Sequence, residues 1–108
     1  MPTELLKGTL DLLILRTLTL GPRHGVEIGR RIGQFTNGTF EVKAGSLFPA
    51  LHRLEEQGFV SAAWGASDEG RRVKFYQLTS AGRKQVETET ANWKCVAEAI
   101  ARAIEATS

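Results

Sequence analysis

Length, composition and charge limit what this chain can be. Its 108 residues, 42% of them apolar and 24% charged, suit one soluble globular domain. The formal net charge is only +2, so nucleic-acid binding would depend on where the basic residues lie. The single cysteine, Cys95, excludes an intrachain disulfide. With no segment apolar and long enough to span a bilayer, we expect a cytoplasmic protein without membrane partners.

The first predicted helix, from Glu4 to Leu20, is apolar on several sides and ends at Gly21-Pro22. A helix of this kind needs more than one neighbour to cover it. We expect its own domain to cover one side and a second copy of the chain to cover another. Its large apolar residues include Leu5, Leu6, Leu10, Leu12, Leu13, Ile14, Leu15 and Leu18.

The second predicted helix, from His24 to Phe35, has an inward face formed by Ile28, Ile32 and Phe35. Asn37-Gly38 is a strong turn signal. The next three residues, 40–42, have the composition of a short extended piece.

The third predicted helix, from Ala44 to Gln57, has Leu47, Leu51 and Leu54 at helical spacing on one face. Pro49 must lie near its start, because proline is tolerated only in the first turn of a helix. The opposite arc is polar and is composed of Ser46, Pro49, His52, Arg53, Glu56 and Gln57.

Two predicted strands follow, Phe59 to Trp64 and Val73 to Leu78, joined by a turn-rich loop with a basic exit. Thr79 is a good N-cap for a last helix from Ser80 to Glu105. Its apolar stripe is longer than a small domain can cover, which predicts pairing with another chain. The stripe is formed by Val86, Trp93, Val96, Ala97, Ile100 and Ile104.

The order of these elements predicts a mainly helical α+β protein, a winged helix-turn-helix with a two-stranded wing. Residues 1–78 would form the DNA-binding part and residues 79–108 the dimerisation helix, in one compact unit. In this fold one helix enters the major groove and the wing follows the backbone.

Here the sequence resembles the PadR family of transcriptional regulators, in its short subfamily with one C-terminal helix. The likeness covers nearly the whole chain. Two residues depart from the usual family pattern: Phe48 stands where tyrosine is common, and Val26 where an aromatic residue is common. The matching segments are Leu6 to Leu15, Gly21 to Gly25, Gly45 to Leu51, Leu54-Glu55, Gly58, Arg71-Arg72, Tyr76 to Thr79, Gly82 and Asn92-Trp93.

The resemblance and the residue pattern together imply a dimeric repressor that binds a pseudo-palindromic operator in double-stranded DNA. The residues expected at the DNA are Lys43, Ser46, Phe48, Pro49, His52, Arg53, Arg71, Arg72 and Lys74. The residues expected between two copies are Leu5, Leu6, Leu13, Val86, Trp93, Val96, Ala97, Ile100 and Ile104.

The resemblance also implies a small aromatic effector, stacked on Trp93 and bordered by Val96 and Leu13. The other interpretation of Trp93 is plain packing between two helices.

Several of these residues have a second interpretation. Arg53 and His52 could read base edges or only solvate a helix, and the wing cations could belong to an ordinary charged hairpin. Ser46 could cap its helix or contact phosphate. His24 is more typical of a structural histidine, and Cys95 of an inert thiol.

The sequence contains no metal-ligand spacing and no catalytic constellation, so we expect no metal, no cofactor and no enzyme activity. The alternative function is a winged-helix module for protein docking that has no operator of its own. Basic residues on the third helix and the wing favour DNA binding.

Overall fold

The computed structural model describes residues 7–108. The predicted helix start at Glu4 and two expected interface residues, Leu5 and Leu6, lie outside the described residues. The chain order is helix, strand, two helices, hairpin, helix. The elements are α1 (Lys7–Leu18), β1 (Arg23–His24), α2 (Gly25–Phe35), α3 (Ala44–Glu56), β2 (Val60–Ala66), β3 (Arg72–Leu78) and α4 (Ser80–Thr107).

Helix α1 is at the centre of the core and contacts α2, α3, α4 and β3. These neighbours explain why so many of its sides are apolar: Ile14 and Leu15 are fully buried on different sides of the helix. Among the described residues, Thr17 is the one buried polar residue of the core. It donates its hydroxyl to the Leu13 carbonyl at 2.8 Å, so its burial costs little.

Helices α2 and α3 pack against α1 and each other through Ile28, Ile32, Leu47 and Leu51. The prediction that Phe35 faces inward is wrong, since the side chain is 54% exposed. Phe35 is the last residue of α2, and the chain turns away directly after it. In that turn Asn37 and Gly38 both have positive φ, as the turn signal predicted.

The sheet is antiparallel with the strand order β1-β3-β2. The hairpin pairs Val60 with Leu78 at one end and Ala66 with Arg72 at the other. Strand β1 adds a third strand that the two-stranded prediction missed, pairing Arg23 with Tyr76. Residues 40–42 form no strand, although Phe40 and Val42 pack against the core.

Helix α4 begins as predicted, with the Thr79 hydroxyl accepting a hydrogen bond of 3.0 Å from the Gly82 N–H. Its first turns pack on α1 and β3. Gly82 lies so close to the residue that precedes strand β2 that a Cβ there would collide with the Phe59 carbonyl oxygen. Val86, one turn later, is buried in the same core.

Candidate nucleic-acid interface

Helix α3 has one buried face and one open face. Leu47, Ala50, Leu51 and Leu54 are buried in the core. The other side, where the sequence predicted a polar arc, exposes both polar and apolar side chains to solvent. The exposed arc contains Ser46, Phe48, Pro49 and His52.

The start of α3 is open on the same side. The residue at the N-cap is Lys43, with no side-chain cap bond, so the interpretation of Ser46 as the cap is wrong. Ser46 instead lies in the first turn with its side chain exposed. Unpaired N–H groups and the positive end of the helix dipole make such a turn a place where a phosphate can bind.

Arg53 does not lie on the exposed arc, so its predicted position is wrong. Its guanidinium donates to the Asp11 carboxylate of α1, and the two side chains are 28% and 13% exposed. Arg53 is on the flank of α3 that faces α1, where helical spacing alone could not place it. The ion pair connects α3 to the core of its own domain.

His52 is on the exposed arc, and its Nε2 is 3.3 Å from the Glu56 Oε1 one turn later. Both side chains project into solvent. The imidazole is therefore available to a ligand on the open face of α3.

The wing presents two of its three predicted cations to solvent. Arg71 and Arg72 are exposed at the start of β3, and the Arg72 guanidinium is 4.8 Å from the centre of the Trp64 ring. Lys74 differs, because its Nζ is 3.5 Å from the Glu55 Oε1 of α3. Lys74 therefore connects the wing to helix α3.

His24 and Gly25 join the sheet to α2. The His24 ring meets Phe75 edge-on, with 5.6 Å between centroids, which agrees with a structural role. A Cβ on Gly25 would lie 2.5 Å from the Phe48 Cε1, so only glycine allows the ring to pack there. The histidine–glycine pair thus contacts both strand β3, through Phe75, and helix α3, through Phe48.

A second surface lies on α4, away from the wing. Trp93, Val96, Ile100 and Ile104 are each more than half exposed, and Ala97 is partly buried beside them. Val86 does not belong to this surface. It is buried in the core of its own chain, so its assignment to a dimer interface is wrong.

A shallow groove of about 340 Å³ runs between α1 and this part of α4. Leu12 lines it, whereas the predicted Leu13 packs toward the core. Leu12 was missed because consecutive residues of one helix face different sides. The groove residues are Gly8, Thr9, Leu12, Glu89, Asn92, Trp93 and Val96.

Burial raises the pKa of the Glu89 carboxyl in this groove. A hydrogen bond from Gln85 opposes the shift, and the Asp11 carboxylate adds to it. The groove therefore combines an indole face with a carboxyl group that is partly withdrawn from water.

Within residues 7–108, no group of three histidine, cysteine or acidic side chains comes close enough to hold a metal ion. In the same part of the chain, no helix is both long and apolar enough to cross a bilayer. Cys95 is an exposed free thiol.

Comparison with known proteins gives consistent matches. A model of the family described as "Transcriptional regulator PadR-like family" matches residues 14–88. An uncharacterised protein of Lysinibacillus sphaericus is 32% identical over 98 residues, which is 91% of this chain and 90% of that protein.

Solved structures agree with the fold. A transcriptional regulator from Clostridium thermocellum superposes with a TM-score of 0.80 at 27% identity, over 89% of this chain and 93% of that one. A PadR family transcription regulator from Clostridium difficile gives 0.75 at 25% identity, over 88% and 97%. The predicted mainly helical α+β winged helix is thus confirmed. The chain belongs to the PadR-like family, and it is a DNA-binding transcriptional regulator rather than an enzyme.

Proposed function

We propose that the chain is a dimeric repressor whose two α3 helices bind the half-sites of a pseudo-palindromic operator. One observation carries the proposal: the exposed arc of α3 and the wing border one common pocket, which Phe48, Trp64 and Lys74 line together. DNA in the major groove beside α3 would therefore also meet the wing.

The roles of the expected DNA-binding residues divide in two. Ser46 and His52, which are exposed on the arc, contact phosphate or base edges, and Lys43 precedes them at the open helix end. Arg71 and Arg72 supply phosphate contacts from the wing. Arg53 and Lys74 act as positioning residues, because each is engaged by a carboxylate of its own chain.

The stripe on α4 supports the dimer. Four large apolar side chains more than half exposed on one helix are typical of a protein–protein contact. A second copy that covers them would create a two-fold axis, and the two α3 helices would then face successive turns of the DNA.

Selection of binding sites from a random pool of duplexes tests the operator directly. We expect an inverted repeat to emerge. Enrichment of no sequence would contradict the repressor and favour the docking module.

A salt titration with two charge variants locates the interface. We expect Arg72→Ala to weaken binding to every sequence and to reduce the slope of log K against log salt by about one. The matched control is Arg102→Ala, which removes the same charge from an exposed site near the far end of α4. Equal losses in both variants would contradict a specific role for the wing.

The groove beside Trp93 supports the effector part of the proposal. A planar aromatic compound could stack on the exposed indole, with Leu12 and Val96 beside it. An effector that releases DNA must bind the DNA-free dimer more tightly, and DNA must weaken the effector by the same factor.

Tryptophan fluorescence tests this part with a panel of planar aromatic compounds. We expect quenching in the wild type and in Trp64→Phe, and none in Trp93→Ala. If no compound quenches at high micromolar concentration, Trp93 serves only in dimer packing.

A further inference from the structure

Three exposed apolar side chains meet between α2, α3 and the wing. Val26 is 71%, Phe48 45% and Trp64 61% exposed, and all three line one pocket of about 300 Å³. We call these three residues the apolar patch. Large apolar groups left together in water mark a contact surface, and this one is continuous with the proposed DNA interface.

The Phe48 ring is held in place. It packs directly against the Gly25 backbone, where the space of a missing Cβ is filled by ring atoms. Trp64 is held by Arg72, whose guanidinium lies 4.8 Å from the ring centre. Both aromatic rings of the patch therefore have a contact within the chain.

The cations around the patch favour DNA as its occupant. Arg72 and Lys74 lie beside Trp64 on the wing, and Lys43 precedes α3 on the open side. The Glu27 carboxylate of α2, one residue from Val26, is neutralised by Arg30 and Arg31. A polyanion can thus approach this surface.

The polar groups that could read bases from the first half of α3 are few. Arg53 is paired with Asp11, which leaves Ser46 and His52 on the arc. Between them the exposed residues are Phe48 and Pro49, which have no polar atoms in their side chains. Any base contact that the side chains of Phe48 and Pro49 make is therefore apolar.

The major groove offers one apolar group to such a contact, the C5-methyl of thymine. The other base edges carry hydrogen-bond donors and acceptors. Covering them with a phenyl ring would leave these groups without hydrogen-bond partners. We propose that Phe48 is a specificity-determining residue that selects thymine by its methyl group, while Val26 and Trp64 exclude water around the contact. This inference rests on the proposed insertion of α3 into the major groove.

Replacing single thymines by deoxyuracil tests it with the wild-type protein. Deoxyuracil pairs identically and lacks only the methyl. On the operator selected above, we expect one thymine in each half-site at which the exchange weakens binding by about three- to five-fold, the effect of one buried methyl-sized group. Fluorescence anisotropy with full-length protein measures the affinities.

Variants then assign the effect to the ring. Phe48→Ala should bind the thymine and deoxyuracil duplexes equally, and Phe48→Leu, which stays large and apolar, should retain part of the preference. The control Gln57→Ala, at the exposed C-cap of the same helix, should retain all of it. Circular dichroism checks that each variant is folded.

The possible outcomes are distinct. If the operator is bound but no exchange changes the affinity more than two-fold, the thymine contact is wrong while the repressor stands. If Phe48→Ala keeps the wild-type preference, the methyl is read by another residue and the proposal is overturned. If no operator emerges from the selection, both the proposed function and this inference fail.

Discussion

The two halves of helix α4 have similar apolar spacing and opposite surroundings. In the first half, Gly82 and Val86 are buried against the hairpin and the core. In the second half, Trp93, Ile100 and Ile104 have the same kind of spacing but are more than half exposed. One continuous helix of 28 residues thus has a buried face near its start and an exposed apolar stripe in its second half.

This difference shows what apolar spacing can and cannot determine. Periodicity identifies the face of a helix that avoids water, but it does not identify the surface that covers this face. For Val86 that surface is in the same chain. For the second half of α4, we propose that a second copy of the chain provides that surface.

The largest effect is expected in the first half. In Gly82→Ala the new Cβ would collide with the backbone carbonyl of Phe59, which cannot move without shifting strand β2. We expect a loss of more than about 3 kcal/mol in the free energy of unfolding, at the upper end for overpacking. Denaturant titration measures it.

A second glycine provides the control. Gly45→Ala adds the same methyl where no atom from another part of the described chain lies within 4 Å, so stability should be unchanged or slightly higher. Similar losses in both variants would mean that the close contact between Gly82 and the Phe59 carbonyl does not determine stability.

In the second half, a charge should separate the copies without unfolding them. Ile100 is 55% exposed in the single chain, so Ile100→Asp should leave the domain folded. Each dimer would lose two isoleucine contacts of about 1.5 kcal/mol or more, which together weaken dimerisation by at least about 100-fold. Light scattering and circular dichroism report the two properties separately.

The control for this variant lies one residue away. Ala99→Asp adds the same carboxylate to an exposed site beside the stripe and should leave the dimer intact. A wild-type chain that is monomeric at micromolar concentration would contradict the assignment of the second half of α4 to a partner.

The elements that could be predicted from the sequence are those in which apolar residues recur at regular spacing over a long segment. The four helices and the hairpin come from repeated apolar spacing, and Thr79 from its capping chemistry. Strand β1 was missed because two residues have no periodicity, and Arg23 and His24 become a strand only when β3 is beside them.

The candidate site was less predictable, because orientation around a helix axis depends on neighbours far away in sequence. Arg53 is drawn toward Asp11, 42 residues earlier, and Leu12 replaces Leu13 in the groove because of how α1 is rotated. Trp64 was overlooked as a binding residue, although its cross-strand partner Lys74 was a candidate. The register of the hairpin, once known, puts both on the same side.

A smaller effect is expected at the ion pair that connects α3 to α1. Asp11→Ala and Arg53→Ala should each lower stability, and the double variant should lose less than the sum because the partners are removed together. We expect a coupling energy of about 1 kcal/mol, since the pair is only partly buried. Strict additivity in a double-mutant cycle would show that the pair contributes nothing.

The smallest effect concerns Glu89, which lies between the two halves of α4. Burial raises the pKa of this carboxyl above its ordinary value of 4.5, so the folded chain holds the proton more tightly than the unfolded chain does. The contribution of this proton to the free energy of unfolding is therefore complete below pH 4.5, and it is lost as the pH rises through the pKa of the folded state.

Glu89→Gln, which is neutral at every pH, should raise the melting temperature at pH 7 more than at pH 4. Glu87→Gln, at an exposed position of the same helix, is the control and should show no such difference. An equal gain at both pH values would mean that Glu89 titrates normally and that the groove is as wet as the open half of the helix.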